Sequence, residues 1–114
     1  MPGRGICVRE SDIHGRGVFA TAPIAIDEVI ELCPVLRVPE EQVGILDATR
    51  LFEYYFAWEG DAGVALGFGS LYNHSSAPNA VYRKDFAADV VEIRARSDIA
   101  AGEEITFDYS GISD

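Results

Sequence analysis

The alternation of apolar and polar residues along this chain predicts a domain built from short β-strands. The pattern is clearest at residues 90–96, where Val91, Ile93 and Ala95 alternate with charged residues, as in a strand that buries one face. Residues 80–84 should pair with this strand to form a hairpin around the loop DFAAD.

Short strands are expected to account for most of the remaining chain. They are predicted at residues 6–10, 16–21, 28–32, 34–38 and 105–109, with turns at His14-Gly15, Cys33-Pro34 and Ala101-Gly102. Residues 39–42 begin with proline and are typical of a single helical turn. The segment TRLFEYYFAW, residues 49–58, is long enough for a helix, but its aromatic content favours a strand. The fold class is therefore mainly β with little helix, and the length predicts a single domain over residues 1–114.

Composition indicates a folded and strongly acidic protein. Hydrophobic residues make up 48% of the chain, and 19 acidic against 9 basic residues give a formal net charge of −10. Such a charge repels phosphate backbones and attracts lysine- or arginine-rich peptides, so direct nucleic-acid binding is not expected. The simpler interpretation is that acidity only confers solubility. Because no segment resembles a targeting peptide or could cross a bilayer, we expect a cytoplasmic protein without a membrane partner.

The two cysteines, Cys7 and Cys33, leave several alternatives open. A disulfide between them is one, but thiols in an intracellular domain are more often reduced and packed. A zinc site that adds His14 and His74 is the sharper alternative. Its ligand spacings match no zinc pattern, so no metal is expected.

The segment LYNHSSAPNA, residues 71–80, combines apolar anchors with a high hydrogen-bonding capacity. Leu71 and Tyr72 indicate burial, while Asn73, Pro78 and Asn79 are turn formers. Burial requires that these polar groups find partners.

Three segments occur in a fixed order along the chain: HGRGVFA, LYNHSSAPNA and AGEEITFDY. Each segment alone is a weak signal. Together, over roughly residues 15–109, they resemble the SET-domain family of protein-lysine methyltransferases. The chain length and the run ALGFGSLYNHS look like the smallest single-domain viral members.

The resemblance implies a SET-domain fold of several small, short-stranded sheets. It also implies that the C-terminal segment is threaded beneath a loop, in a pseudoknot-like arrangement. The Asn-His segment and the Glu-Glu-to-Tyr segment would then lie side by side.

The resemblance further implies S-adenosylmethionine as the methyl donor. Gly15, Arg16 and Gly17 would form one donor-binding loop, and the alternative for this loop is an ordinary β-turn. The main chain of Asn73 and His74 would contact the adenine, and the Asn73 side chain would hold the methionine end. For His74 the alternative is a core histidine bonded to a backbone carbonyl.

The catalytic group that the resemblance implies is Tyr109, placed where the donor methyl group meets the lysine nitrogen. Tyr82 and Tyr54 would line the lysine channel, although sheet tyrosines more often pack in a core. A dry aromatic channel lowers the pKa of the incoming lysine, so that alignment rather than a strong base drives the transfer. Glu103 and Glu104 are expected to be structural, fixing the turn or pairing with an arginine.

The chain departs from the family pattern after Tyr109. The sequence SGISD lacks the aromatic residues that many relatives carry there, and Ser76 stands where many of them have cysteine. Two interpretations remain: a lysine methyltransferase whose channel is completed by a partner or by the substrate, and a catalytically weak or silent SET module that binds the donor or a protein. We expect a basic, histone-like lysine substrate and a homodimer.

Overall fold

Nine β-strands form two sheets in the computed structural model, which describes residues 5–110 apart from the side chain of residue 53. The strands are β1 Ile6–Glu10, β2 Arg16–Ala20, β3 Val29–Val38, β4 Phe56–Trp58, β5 Asp61–Ala65, β6 Asn73–His74, β7 Ala80–Asp85, β8 Val90–Ala95 and β9 Glu104–Phe107. One sheet has the order β1-β2-β9-β6 and the other has the order β4-β5-β3-β8-β7. Within the described residues, no helix is long and apolar enough to span a membrane.

In the first sheet, β9 lies between two segments that are distant in the sequence. Strands β1 and β2 form an antiparallel hairpin, and β2 pairs with β9 through Val18 and Ile105. On its other side β9 pairs in parallel with β6, with Asn73 opposite Thr106 and His74 opposite Phe107. The Asn-His segment and the Glu-Glu-to-Tyr segment therefore lie side by side, as predicted.

In the second sheet, the predicted hairpin of β7 and β8 is confirmed. Lys84 pairs with Val91 and Ala80 with Ala95, in antiparallel register. Val91, Ile93 and Ala95 are at most 1% exposed, so the alternating pattern does mark a strand with one buried face. A single hydrophobic cluster draws on both sheets and includes buried residues of β2, β3, β4, β8 and β9.

Strand β3 is continuous, so the prediction of two strands parted at Cys33-Pro34 is wrong. Pro34 pairs with Val90 at the end of the ladder with β8, where its missing N–H group is not needed. Its carbonyl oxygen accepts a hydrogen bond from the Leu66 N–H at 2.8 Å. Cys33 is fully buried, and both cysteines are free thiols.

The segment at residues 49–58 begins with a 3₁₀ helix and ends in a short strand, so the prediction of one long strand is also wrong. Helix α1, Val43–Asp47, was not predicted, and it is followed by a 3₁₀ helix, Arg50–Glu53. Thr49 caps this 3₁₀ helix by accepting the Leu51 N–H at 3.2 Å. Only Phe56–Trp58 is a strand. The helical turn predicted at residues 39–42 is present as a 3₁₀ turn, Glu40–Gln42, that begins after Pro39.

Strand β3 contains an irregularity in its pairing with β8. The register shifts between Val29 and Glu31, so that two consecutive residues face inward. Ile30 is 6% exposed and Glu31 only 2%. A carboxylate is thereby brought into the hydrophobic interior.

Candidate active site

The Asn73 side chain ties strand β6 to the turn between β1 and β2. Asn73 is 7% exposed, and its Nδ2 atom donates to the backbone oxygens of His14 at 3.1 Å and Arg16 at 3.3 Å. The same atom lies 2.7 Å from Oε2 of Glu104, at the start of β9. Three remote segments therefore meet at one amide.

Gly17 is required for this close approach. A Cβ atom at position 17 would lie 2.1 Å from Glu104 Oε2 and 2.9 Å from Asn73 Nδ2. The other carboxylate oxygen of Glu104 accepts the Ser11 hydroxyl at 2.6 Å, so Glu104 fixes the loop, in agreement with its predicted structural role. Gly15 has a φ of +49°, which favours glycine, and the space beside it is open.

The geometry leaves Asn73 with a free acceptor. None of the described residues donates to its Oδ1 atom. No buried side-chain nitrogen or oxygen in the described chain lacks a partner, so this oxygen must reach solvent. An exposed amide oxygen on a fixed side chain is a suitable acceptor for an ammonium group, such as the amino end of S-adenosylmethionine.

Tyr109 is held at both ends. Its hydroxyl donates to the backbone oxygen of Tyr72, and its backbone N–H donates to Nδ1 of His74 at 2.9 Å. The His74 side chain is 46% exposed, so the interpretation of His74 as a core histidine bonded to a carbonyl is wrong. His74 instead accepts a hydrogen bond that orients Tyr109.

Aromatic rings surround Phe107 next to this tyrosine. The Phe107 ring centroid lies 5.0 Å from that of Tyr82, 5.5 Å from that of Tyr72 and 5.7 Å from that of Tyr109. The Tyr82 hydroxyl donates to the backbone oxygen of Ser110 at 3.0 Å. Tyr82 therefore packs beside the site with its hydroxyl directed at the chain after Tyr109.

A narrow cavity of about 50 Å³ lies against Tyr109. It is lined by Tyr54, Tyr55, Phe56, Gly69, Ser70, Tyr72, Phe107 and Tyr109. A larger cavity of about 590 Å³ lies between α1 and the β4–β5 turn, but it reaches neither Tyr109 nor Asn73. The smaller cavity belongs to the site because aromatic rings line it and Tyr109 forms part of its wall. The Tyr109 hydroxyl donates to the Tyr72 carbonyl oxygen there.

Burial raises the pKa of Tyr109, and the nearby Tyr54 and Glu104 raise this pKa further. The hydroxyl therefore stays protonated at neutral pH and acts as a hydrogen-bond donor rather than as a base.

The structure divides the predicted site residues into two adjoining halves. Gly15, Arg16, Gly17 and Asn73 form the polar half, with the Arg16 side chain exposed. His74 and Tyr109 form the junction, Tyr54 lines the cavity, and Tyr82 packs outside the cavity lining. These positions leave the individual roles as predictions.

Two residues of the site were not predicted from the sequence. The sequence predicts Tyr72 only as a core anchor, yet its carbonyl oxygen accepts the Tyr109 hydroxyl. The sequence predicts Phe107 only as part of the last strand, yet it lies at the centre of the aromatic cluster. The signal available in the sequence was position, since each of them lies inside one of the three motif segments.

Comparison with known proteins agrees with this geometry. A model of the SET domain matches residues 15–110. A Schizosaccharomyces pombe protein named as a histone-lysine N-methyltransferase, H3 lysine-37 specific, is 36% identical over 104 residues. That alignment covers 90% of this chain and 71% of the relative.

Solved structures show the same architecture. A candidate histone methyltransferase of Plasmodium falciparum superposes with a TM-score of 0.77 and 29% identity, over 93% of each chain. An autoinhibited, S-adenosylmethionine-bound Polycomb Repressive Complex 2 of Chaetomium thermophilum superposes with a TM-score of 0.83 over 96% of this chain and 16% of that chain. At 18% identity, this second likeness shows the fold alone. The fold class predicted from the motifs is confirmed, while the likeness to small viral members stays a prediction.

Proposed function

We propose, because this chain belongs to the SET-domain family of protein-lysine methyltransferases, that it methylates a lysine in a basic, histone-like protein segment. The observation that carries this proposal is the placement of Tyr109. Its hydroxyl lies at the wall of an aromatic cavity, and its backbone is joined through His74 to the strand that carries Asn73.

The polar half of the site suits the methyl donor. S-adenosylmethionine supplies a methyl group on a positively charged sulfur, and this group moves to the lysine nitrogen as the carbon–sulfur bond breaks. The space beside Gly15 is open to a ligand, and Asn73 Oδ1 is available to the amino group of the donor. The exposed Arg16 side chain offers a charged partner for the donor carboxylate.

The aromatic half suits the lysine. A cavity walled by aromatic rings disfavours the charged ammonium, so the amine arrives in its neutral, nucleophilic form. The proton it loses goes to water before the amine enters. The Tyr109 hydroxyl, held in place by the Tyr72 carbonyl, then fixes the direction of the amine lone pair, and alignment supplies much of the rate.

The acidity of the chain supports a basic substrate. A formal net charge of −10 on 114 residues creates an attractive field for a segment rich in lysine and arginine. The relative named for histone H3 lysine 37 has a substrate of this class.

Methyl transfer to two peptides, measured with radiolabelled S-adenosylmethionine, tests the proposal. The peptides share one target lysine and differ in having basic or neutral flanking residues. We expect the basic peptide to react faster at low ionic strength and the difference to narrow at high ionic strength, because screening acts over about 8 Å at physiological salt. Equal rates at low ionic strength would contradict the substrate class.

Calorimetry with S-adenosylmethionine provides the companion measurement. Donor affinity should change little with salt, because buried and short-range contacts determine it. Donor binding without transfer to any basic protein would instead support the catalytically silent SET module.

A further inference from the structure

Glu31 lies within an apolar strand and is 2% exposed, although nothing in its sequence neighbourhood explains a buried charge. We propose that Glu31 is a positioning residue for methyl transfer, acting through Tyr72 on Tyr109. This inference rests on the proposed function for the reaction that it describes. It begins from the shifted register between Val29 and Glu31, which turns the carboxylate inward.

Both carboxylate oxygens of Glu31 bind the loop that leads into the site. Oε1 accepts the Tyr72 hydroxyl at 2.8 Å, in a fully buried hydrogen bond. Oε2 accepts the backbone N–H of Phe68 at 3.0 Å. One carboxylate therefore holds both ends of residues 68–72, the segment that immediately precedes Asn73.

Two glycines allow this loop to pack directly on β3. Gly67 has a φ of +66°, and a Cβ atom there would lie 2.3 Å from Glu31 Oε2. At Gly69 a Cβ atom would lie 2.6 Å from Ala65 Cβ and 3.0 Å from Cys33 Sγ. The loop therefore fits around the carboxylate with little space to shift.

The far side of the same loop forms part of the active site. Gly69, Ser70 and Tyr72 line the cavity, and the Tyr72 backbone oxygen receives the Tyr109 hydroxyl. Hydrogen bonds to a buried carboxylate are strong and directional, so Glu31 sets the place of this acceptor. A small displacement of the acceptor would turn the Tyr109 hydroxyl away from the amine.

A purely structural role for Glu31 makes a different prediction. Loss of a buried hydrogen-bond partner lowers stability in either case. A structural role leaves kcat per folded molecule unchanged, whereas a positioning role lowers kcat while the affinity for S-adenosylmethionine stays the same. Stability alone therefore does not distinguish the two roles.

Two conservative variants test the proposal. Glu31→Gln keeps the side-chain size but replaces one acceptor oxygen with a donor, and Tyr72→Phe removes only the hydroxyl that Glu31 binds. Each should lower kcat at least about tenfold, with donor affinity within about twofold of the wild type. Ile24→Val, which alters the core beside Ile99, is the control for lost stability and should keep the wild-type kcat. If Glu31→Gln does not fold, the kcat of Tyr72→Phe decides between the structural role and the positioning role.

A double-variant cycle shows whether the effect passes through Tyr109. In a Tyr109→Phe background, Glu31→Gln should lower the residual single-turnover rate no further, because the hydroxyl that it positions is already absent. A further tenfold loss would mean that Glu31 acts by another route and would overturn the proposal.

A spectroscopic readout separates this inference from the proposed function. With 3-fluorotyrosine incorporated, the ¹⁹F resonance that Tyr109→Phe removes can be assigned to Tyr109. Glu31→Gln should shift this resonance, and Ile24→Val should not. If the wild type transfers no methyl group, the proposed function fails. The ¹⁹F resonance of Tyr109 then tests by itself whether Glu31 positions Tyr109. An unshifted resonance, or a wild-type kcat in both folded variants, would overturn the inference.

Discussion

In the proposed reaction, Tyr109 is the residue on which methyl transfer depends most directly. Tyr109→Phe keeps the ring against Phe107 and the backbone bond to His74 but removes the hydroxyl that binds the Tyr72 carbonyl. We expect kcat to fall by roughly two to four orders of magnitude, because one preorganised positioning group is lost. Calorimetric affinity for S-adenosylmethionine should stay within severalfold.

Tyr55→Phe is the matched control for this change. The Tyr55 ring borders the same cavity, but its hydroxyl points to Oδ1 of Asp47 at 2.7 Å. Its removal should leave kcat close to the wild-type value. Wild-type turnover in Tyr109→Phe would remove Tyr109 from the reaction.

Asn73 and Asn79 are two amides that both bind strand β9 but differ in their place in the site. Asn73→Ala should weaken donor binding at least about tenfold, or about 1–3 kcal/mol, because it removes the acceptor proposed for the amino group of the donor. Asn79 accepts from Thr106 N and donates to Glu104 O, so Asn79→Ala should lower the melting temperature without this loss. Equal donor affinity in both variants would make Asn73 a turn residue only.

At the scale of elements, the glycines show how tightly the loops are packed. Gly17→Ala places a methyl group where the Glu104 carboxylate lies, so the contact of Glu104 with Asn73 must break and donor affinity should fall at least about tenfold. Gly44→Ala, in helix α1, meets no atom within 4 Å and should stabilise the protein by up to about 1 kcal/mol. Chemical denaturation and calorimetry on the pair check both expectations. A Gly17→Ala protein that binds S-adenosylmethionine normally would contradict the first.

The strands that sequence could predict are those whose side chains alternate. Strand β8 shows this because Val91, Ile93 and Ala95 face one core. The sequence does not reveal that β3 is continuous, because a proline usually ends a strand. Pro34 is tolerated because it lies at the end of the ladder between β3 and β8. The helical segment before β4 was missed because its aromatic residues have strand propensity, whereas the Thr49 cap and packing decide the conformation.

For the site, the motif residues were predicted and their supports were not. Gly17 approaches Asn73, and Tyr109 contacts His74, because β9 lies between β2 and β6, an arrangement that periodicity does not reveal. Glu31 was missed because the shifted register that turns it inward cannot be read from the sequence. A charged residue between apolar neighbours was the only sign.

At the scale of the whole molecule, two buried acids make stability sensitive to alkaline pH. Burial raises the pKa of Cys33 above its ordinary 9.0 and the pKa of Tyr72 above its ordinary 10.0, with Glu31 adding to both. Each group holds its proton more tightly when folded, so this stability is fully present below the ordinary pKa. It is lost as the pH rises, because the unfolded chain ionises first.

The free energy of unfolding should therefore fall once the pH exceeds about 9. The limiting slope is about 1.4 kcal/mol per pH unit for each group that is ionised only in the unfolded state. Urea denaturation across this range measures it. Cys33→Ala should remove the earliest part of the loss, and a flat profile up to pH 10 in the wild type would contradict the prediction.

The outer face of the five-stranded sheet carries exposed apolar side chains. Leu32, Leu36 and Leu66 are 55%, 58% and 45% exposed, and Pro34 lies between the first two. Beside them, Arg83 and Glu92 form an ion pair, so the border carries both signs of charge. A border of this kind can pair with itself across a two-fold axis.

We propose that this face forms a homodimer. Light scattering should show dimers at high micromolar concentration, and Leu36→Glu should yield monomers because it places a charge in the centre of the face. Ile45→Glu, at a residue 72% exposed on α1, is the control and should remain dimeric. A monomeric wild type under these conditions would exclude the proposal.

The position of β9 between β2 and β6 also bears on how the molecule reaches its native state. Both neighbours precede β9 in the sequence, β2 by more than eighty residues and β6 by about thirty, and neither pairs with the other. Closing such long loops is entropically costly, so contacts of this separation form late and slowly. During synthesis, the hairpin of β1 and β2 and the Asn73 loop cannot join into one sheet until β9 has left the ribosome. The Asn73 loop and Tyr109 should therefore reach their native positions in the same final step, when β9 joins both neighbours.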